Sequence, residues 1–277
     1  MQTSPYRPLY ALLVPRGNSN VEKSLITGER ERSWMSNVKP VALWAVPRSV
    51  STAFERAFVE RGDFKVFHEP FSASYYYSGE RQSDRYANIE PKAEYDPENV
   101  LARILEVKEK PVFFKDMAYH VSGFMTKQFV ARFTNTFIIR DPTPVIASLS
   151  RFWPDFTLEE TGYQQLHRLF GLAVENGEDP VIVDASVLIR NPEGTVAAYC
   201  EKLGVPFMLE ALSWEPGEVP GWEMWGEWHE EAEQSTGIKR QPLEDDAEIP
   251  KGLEWVYERC LPYYEDLYER RLQPAEI

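Results

Sequence analysis

The sequence predicts an α/β protein with a mostly parallel central sheet covered by helices on both faces. Three observations carry this. Short apolar runs of strand length recur at 41–46, 64–67, 112–114, 136–139 and 180–183. Between them lie longer segments with apolar residues at helical spacing, and this alternation is what strands joined by crossover helices produce. At 277 residues, 43% of them apolar, the chain is long enough to bury one large core.

Residues 1–38 precede the first strand. Their apolar run, 9–14, is far too short to span a membrane, and 18–36 is polar without a period. This stretch is expected to be a disordered extension outside a single domain over 39–277. Glu22, Glu29 and Glu31 speak against a transit peptide. Run 41–46 is the first strand. Ala53, Phe54, Ala57 and Phe58 then form a helical stripe closed by Gly62. Between strand and helix stand Pro47, Arg48, Ser49, Val50, Ser51 and Thr52. A strand that turns directly into a helix presents free N–H groups and the positive end of the helix dipole, which together bind anions. Arg48 adds a fork of donors, and Ser49, Ser51 and Thr52 add hydroxyls. The segment reads as a phosphate-binding loop. It is not the nucleoside-triphosphate form, which needs glycines and a Lys-Ser/Thr pair. An ordinary N-capped strand–helix turn is the plain alternative.

The second strand, 64–67, ends in His68-Glu69-Pro70-Phe71. A carboxylate at that end of a strand sits where open α/β sheets place their ligands. Residues 72–96, with Tyr75, Tyr76 and Tyr77, have no period and suit either an acceptor pocket or a surface loop. Residues 97–110 form an amphipathic helix on Val100, Ile104 and Val107. Strand 112–114 leads to Lys115, Asp116 and His120, and a helix over 123–132 follows. Strand 136–139 runs into Arg140, and Pro142 opens a helix whose apolar face is Val145, Ile146 and Leu149. Helices are expected over 164–176 and over 192–203, the latter stopped by Gly204. The segment with Trp214, Trp222, Trp225 and Trp228 can wall a pocket or pack over the sheet edge, and Lys239-Arg240 is its one basic spot. A terminal helix over 251–271 would face Trp255, Val256, Leu261 and Tyr264 inward, with a kink or split at Pro262.

Arg140 at a strand end and Ser148 two turns into the next helix can converge on one phosphate. Taken with the loop from Pro47 to Thr52, this pair resembles the sulfotransferases that use 3′-phosphoadenosine 5′-phosphosulfate (PAPS). The resemblance covers roughly 41–152. It implies a P-loop-like fold and transfer of a sulfuryl group to a hydroxyl, or an amine, of a small molecule, with 3′-phosphoadenosine 5′-phosphate (PAP) as product. It implies that Pro47 to Thr52 hold the 5′-phosphosulfate, that Arg140 and Ser148 hold the 3′-phosphate, and that Lys239 and Arg240 close over the cofactor. Arg48 would stabilise the departing phosphate without a metal. The Glu-Pro-aromatic element makes Glu69 the candidate base. His120, after Lys115, matches another branch of the family at a longer spacing, and His68 is a third candidate. Val50 departs from the usual glycine, and Arg48 from the lysine of cytosolic members.

The net charge of −14 argues against a nucleic-acid partner. Two cysteines and four scattered histidines give neither a disulfide framework nor a metal pattern, so a cytoplasmic protein is expected. Two rivals from other classes stay open: a small-molecule kinase using ATP and Mg²⁺, for which the strand ending in Asp116 faintly resembles the magnesium-site strand of NTPases, and a non-catalytic nucleotide-binding protein of the same fold. No motif names the acceptor or the oligomeric state.

Overall fold

Five strands form one sheet: β1 (Val41–Ala45), β2 (Lys65–His68), β3 (Val112–Met117), β4 (Thr134–Ile139) and β5 (Val181–Asp184). The computed structural model describes residues 39–222, 226, 228–240 and 247–274. The expectation for 1–38 lies outside them, as does that for Trp225. The strand order is β2-β3-β1-β4-β5, and every pairing is parallel. Such strands are buried on both faces and therefore read as continuous apolar runs rather than alternating ones.

The helices are α1 (Ser51–Arg61), α2 (Ser72–Tyr77), α3 (Pro97–Glu106), α4 (Lys127–Val130), α5 (Pro142–Phe152), α6 (Tyr163–Glu175), α7 (Ala185–Arg190), α8 (Pro192–Leu203), α9 (Glu230–Gln234) and α10 (Glu254–Glu269). They cover both faces, as expected. On one, Trp44, Phe114, Phe137 and Ile139 pack with Val145, Ile146 and Leu149 of α5 and with Leu166 and Leu169 of α6. Alternate strand residues turn the other way. There Phe113 stacks on Phe58 of α1 with ring centroids 3.9 Å apart, and Phe54 meets Tyr199 of α8 at 4.9 Å.

Five local expectations change. Residues 72–96 begin with a helix, α2, whose six residues are too few for a period to show. The helix expected over 123–132 shrinks to the single turn of α4. Helix α7 was not expected; Asp184 caps it, accepting from the N–H groups of Ser186 at 3.0 Å and Val187 at 3.2 Å. Pro262 lies inside an unbroken α10, on its exposed side, where water can satisfy the carbonyl that proline leaves without a donor. Trp255 of the same helix is 53% exposed, not inward, whereas Val256 and Tyr264 are buried as expected.

Because all strands run in one direction, the segments following them gather at one edge of the sheet. The chain crosses from β3 on one side of β1 to β4 on the other, so a crevice opens outside the carboxyl end of β1. No helix among the described residues is long and apolar enough to cross a membrane.

Candidate active site

The loop after β1 is shaped by backbone conformation rather than by glycine. Arg48 has φ 57° and Val50 φ 65°, and with Glu69 at 39° they are the only non-glycine residues described in the left-handed region. A β-branched residue there is a steric outlier, at roughly 1–3 kcal/mol. The usual glycine of the resembled loop thus falls where a left-handed residue is required. Val50 caps α1 without a side-chain bond, and Phe54 N–H is the first to find a helical partner, on Val50 C=O at 3.1 Å. The N–H groups of Ser51, Thr52 and Ala53 come before that bond and point out of the helix end. Among the hydroxyls, Ser49 is spent inward on the Val46 carbonyl at 2.7 Å, while Ser51 and Thr52 have no partner among the described residues.

A cavity of about 350 Å³ opens above this loop, lined by Pro47 to Ala53, Glu69, His120, Arg140, Trp228 and Lys239 among others. At one end Arg140 donates to the Arg48 carbonyl at 2.6 Å. Burial, first, and the neighbouring Arg48 lower its pKa against the pull of Tyr163, Asp184 and Asp141. No carboxylate among the described residues reaches ion-pair distance of it. The Arg48 side chain turns toward α5: Nε donates to Ser148 Oγ at 2.9 Å, and the guanidinium lies 5.0 Å over the Phe152 ring. Its Nη2 reaches Glu231 of α9 at 3.0 Å. Ser148 therefore stands behind Arg48. Lys239 is exposed on the cavity rim; Arg240 is exposed outside the lining.

At the other end two consecutive residues of β3 found separate clusters. Lys115, fully buried, donates to Glu69 at 2.5 Å and lies 4.0 Å from Glu55 of α1. Glu55 holds His68 Nδ1 at 2.9 Å and accepts from Trp222 Nε1 at 2.9 Å. His68 Nε2 is 2.9 Å from His229 Nε2 and 3.7 Å from Glu69 Oε1. Burial favours the neutral form of Glu69, but Lys115, then His68, His120 and His229, hold its pKa well below the usual carboxylate range. Burial, with His68 and Lys115, pushes His229 down to about 3.

Asp116 leaves the opposite face. It accepts from the N–H groups of Phe71 at 2.7 Å and Met117 at 2.9 Å, and binds His120 Nδ1 at 2.6 Å. Burial raises its pKa; the His120 bond pulls it back. His120 is packed among Tyr75, Tyr76 and Tyr119, and its Nε2 has no partner among the described residues.

The structure thus brings to one cavity Pro47, Arg48, Ser49, Val50, Ser51, Thr52, Glu69, His120, Arg140 and Lys239, with Lys115 and Ser148 immediately behind and Arg240 apart. Sequence reading missed Glu55 and His229. Glu55 sits beside Phe54 in a stripe read only for apolar residues, and His229 comes from a segment without a period. Asp116 was seen only as a faint metal-strand aspartate.

A family model described as Sulfotransferase domain matches residues 39–270. The chain is 29% identical over 224 residues to branched-chain-amino-acid aminotransferase-like protein 2 of Arabidopsis thaliana, covering 80% of this chain and 40% of that one. It is 26% identical over 233 residues to the like-named protein 1, covering 83% and 42%. It therefore spans about two-fifths of the length of these relatives. Among solved structures, the sulfotransferase domain from the curacin biosynthetic pathway aligns with TM-score 0.50 at 14% identity, over 86% of this chain and 100% of that one. The sulfotransferase domain from the Synechococcus PCC 7002 olefin synthase aligns at TM-score 0.48 and 18% identity, over 80% and 94%.

Proposed function

The chain belongs to the sulfotransferase domain family, and from that premise we propose that it moves a sulfuryl group from PAPS to a hydroxyl or an amine of a small-molecule acceptor, leaving PAP. One observation carries this reading above the others. Arg140 is a half-buried cation with no carboxylate partner among the described residues, and it faces the same cavity as the free N–H end of α1. Burying a guanidinium without an anion is costly, so the site suits a ligand that brings its own negative charge.

In this reading the N–H groups of Ser51, Thr52 and Ala53 receive the 5′-phosphate. Arg140 and Ser148 receive the 3′-phosphate once Arg48 has turned from Ser148 to the leaving oxygen. The acceptor oxygen forms a bond to sulfur while the bond from sulfur to the 5′-phosphate oxygen breaks, and that oxygen keeps the electron pair. The acceptor proton passes to Glu69, which Lys115 keeps ionised and in place. A weakly basic carboxylate suffices if the hydroxyl becomes acidic only as the new bond forms, as in loose transfer of phosphoryl groups. The acceptor would lie along Tyr76, Tyr119, Trp153 and Trp228, which line the cavity beyond Glu69. Two free, buried cysteines are in keeping with a reducing cytoplasm. The ATP-dependent rival leaned on Asp116 as a metal ligand, and both oxygens of Asp116 are engaged by Phe71, Met117 and His120.

Thermal-shift titration with PAP, with ATP and with ATP plus Mg²⁺ separates the two donors, and PAP alone is expected to stabilise the chain strongly. Arg140→Ala should weaken PAP binding tenfold or more, from a charge-assisted bond worth roughly 1.5–3 kcal/mol. Binding of adenosine 5′-phosphosulfate, which lacks the 3′-phosphate, should change far less. Equal loss of both ligands would remove Arg140 from that role. PAP binding with no turnover across acceptor classes would leave a binding protein.

A further inference from the structure

In the cluster on the Lys115 side, sulfuryl transfer as proposed above uses Glu69 but neither His68 nor His229. His68 Nε2 and His229 Nε2 face each other at 2.9 Å, and their side chains are almost fully buried. Two imidazole lone pairs cannot meet at that distance unless a proton or a cation stands between them. Together with a Glu69 oxygen, the two nitrogens lie within 4.8 Å of one another. We propose that His68, His229 and Glu69 form a binding site for a late first-row divalent ion, with Zn²⁺ as the probe.

Three further observations support it. First, the angles are suitable. With metal bonds of about 2.0–2.1 Å, nitrogens 2.9 Å apart subtend about 90°, and the 3.7 Å separation of His68 Nε2 from Glu69 Oε1 subtends about 130°. These values bracket the tetrahedral angle, and His229 and Glu69 both line the cavity. Second, the outer contacts of His68 are those of a ligating histidine. His68 Nδ1–H donates to the Glu55 carboxylate, which leaves Nε2 as the lone-pair nitrogen. Trp222 Nε1 in turn fixes Glu55. Third, charge is out of balance. Glu55 and Glu69 bring two buried negative charges, and Lys115 returns one positive charge, so a further cation is favoured there. Two imidazoles and one carboxylate select zinc-like ions over Mg²⁺ and Ca²⁺, which prefer oxygen. Lys115 and the metal would compete for Glu69 Oε1, since both approach that atom.

The test uses the full chain, with any affinity tag removed, stripped with a chelator and titrated with ZnCl₂ by calorimetry in the absence of nucleotide. It therefore does not depend on the donor proposed above. One Zn²⁺ per chain is expected, with visible d–d absorption when Co²⁺ is used instead. Glu55→Gln should lower affinity about 10–100-fold, the range for outer-shell partners of a metal-binding histidine. His68→Gln and His229→Gln should each cost more, and Lys115→Met should tighten binding. Far-UV circular dichroism checks folding. Zinc X-ray absorption on the unmutated chain gives a reading independent of any variant, and two imidazoles with no sulfur are expected. Sulfur in that shell, unchanged affinity in His229→Gln, or no binding at all would each overturn the site and leave a proton shared between the two rings.

Discussion

Lys115 and Asp116 are neighbours on β3, both are fully buried, and both lie beside a candidate base, yet they build clusters of opposite character. Strand geometry separates them. Lys115 shares its face with Phe113, which stacks on Phe58 of α1, so its ammonium meets Glu55 of that helix and then Glu69. Asp116 shares its face with Phe114 and holds His120 among tyrosines. The first cluster is a network in which Lys115 and the neighbouring imidazoles hold Glu69 ionised despite its burial. The second is a dyad, one carboxylate orienting one imidazole, with the distal nitrogen left open. Either can accept a proton. They differ in how tightly the accepting group is fixed, and in how much is lost when its neighbour is removed.

The largest expected effect separates the two bases. Glu69→Gln keeps shape and removes basicity, so turnover should fall roughly 10²–10⁴-fold while PAP affinity measured by calorimetry stays nearly constant. His120→Ala should cost distinctly less. A reversed ranking would hand the proton to the Asp116 dyad. Next comes the contrast in stability. Lys115→Met strands Glu69 and Glu55 without their cation, and breaking a buried pair from one side costs about 3–5 kcal/mol. Asp116→Asn keeps an acceptor for one backbone N–H and loses the charged bond to His120, for about 1–3 kcal/mol. Denaturant unfolding of both variants checks the order, and equal losses would dissolve the distinction between network and dyad. The smallest effect lies on the loop that both clusters flank. Val50→Gly relieves a left-handed valine but frees the unfolded chain, so stability should shift by no more than about 1 kcal/mol with PAP binding intact.

Much of this was legible in the sequence, and the reasons are specific. The apolar runs of β1, β3 and β4 announced a buried parallel sheet because such strands need no polar face. Arg140 and the loop from Pro47 to Thr52 were singled out because a strand end followed at once by a helix suits an anion, and the fold brings them to one cavity. Lys115 and Glu69 were singled out as strand-end residues, but their pairing required β2 to lie next to β3, which no local pattern states. Glu55 and His229 stayed hidden for the same reason. They stand 174 positions apart and meet through His68 and Trp222, so their chemistry exists only in the folded chain. The orientation of Arg48 toward Ser148 was equally out of reach, since it depends on a rotamer and on Glu231 from a distant helix.

That last contact alters how anion capture works. Glu231 already lies on the Arg48 guanidinium at the cavity mouth, within a helix that also carries Glu230 and Glu233. In the proposed reaction, a phosphate arriving at Arg48 would not create the first ion pair there; it would exchange one carboxylate for another anion. The number of opposed charges is the same before and after, so the measured affinity at that position reports only the difference between two partners. Added salt then acts in two opposing ways. It screens the final attraction, but it also loosens Glu231 and softens the repulsion between an anionic ligand and a chain of net charge −14. In the proposed reaction the mouth of the cavity would act as an ion exchanger, tuned by the carboxylate it releases.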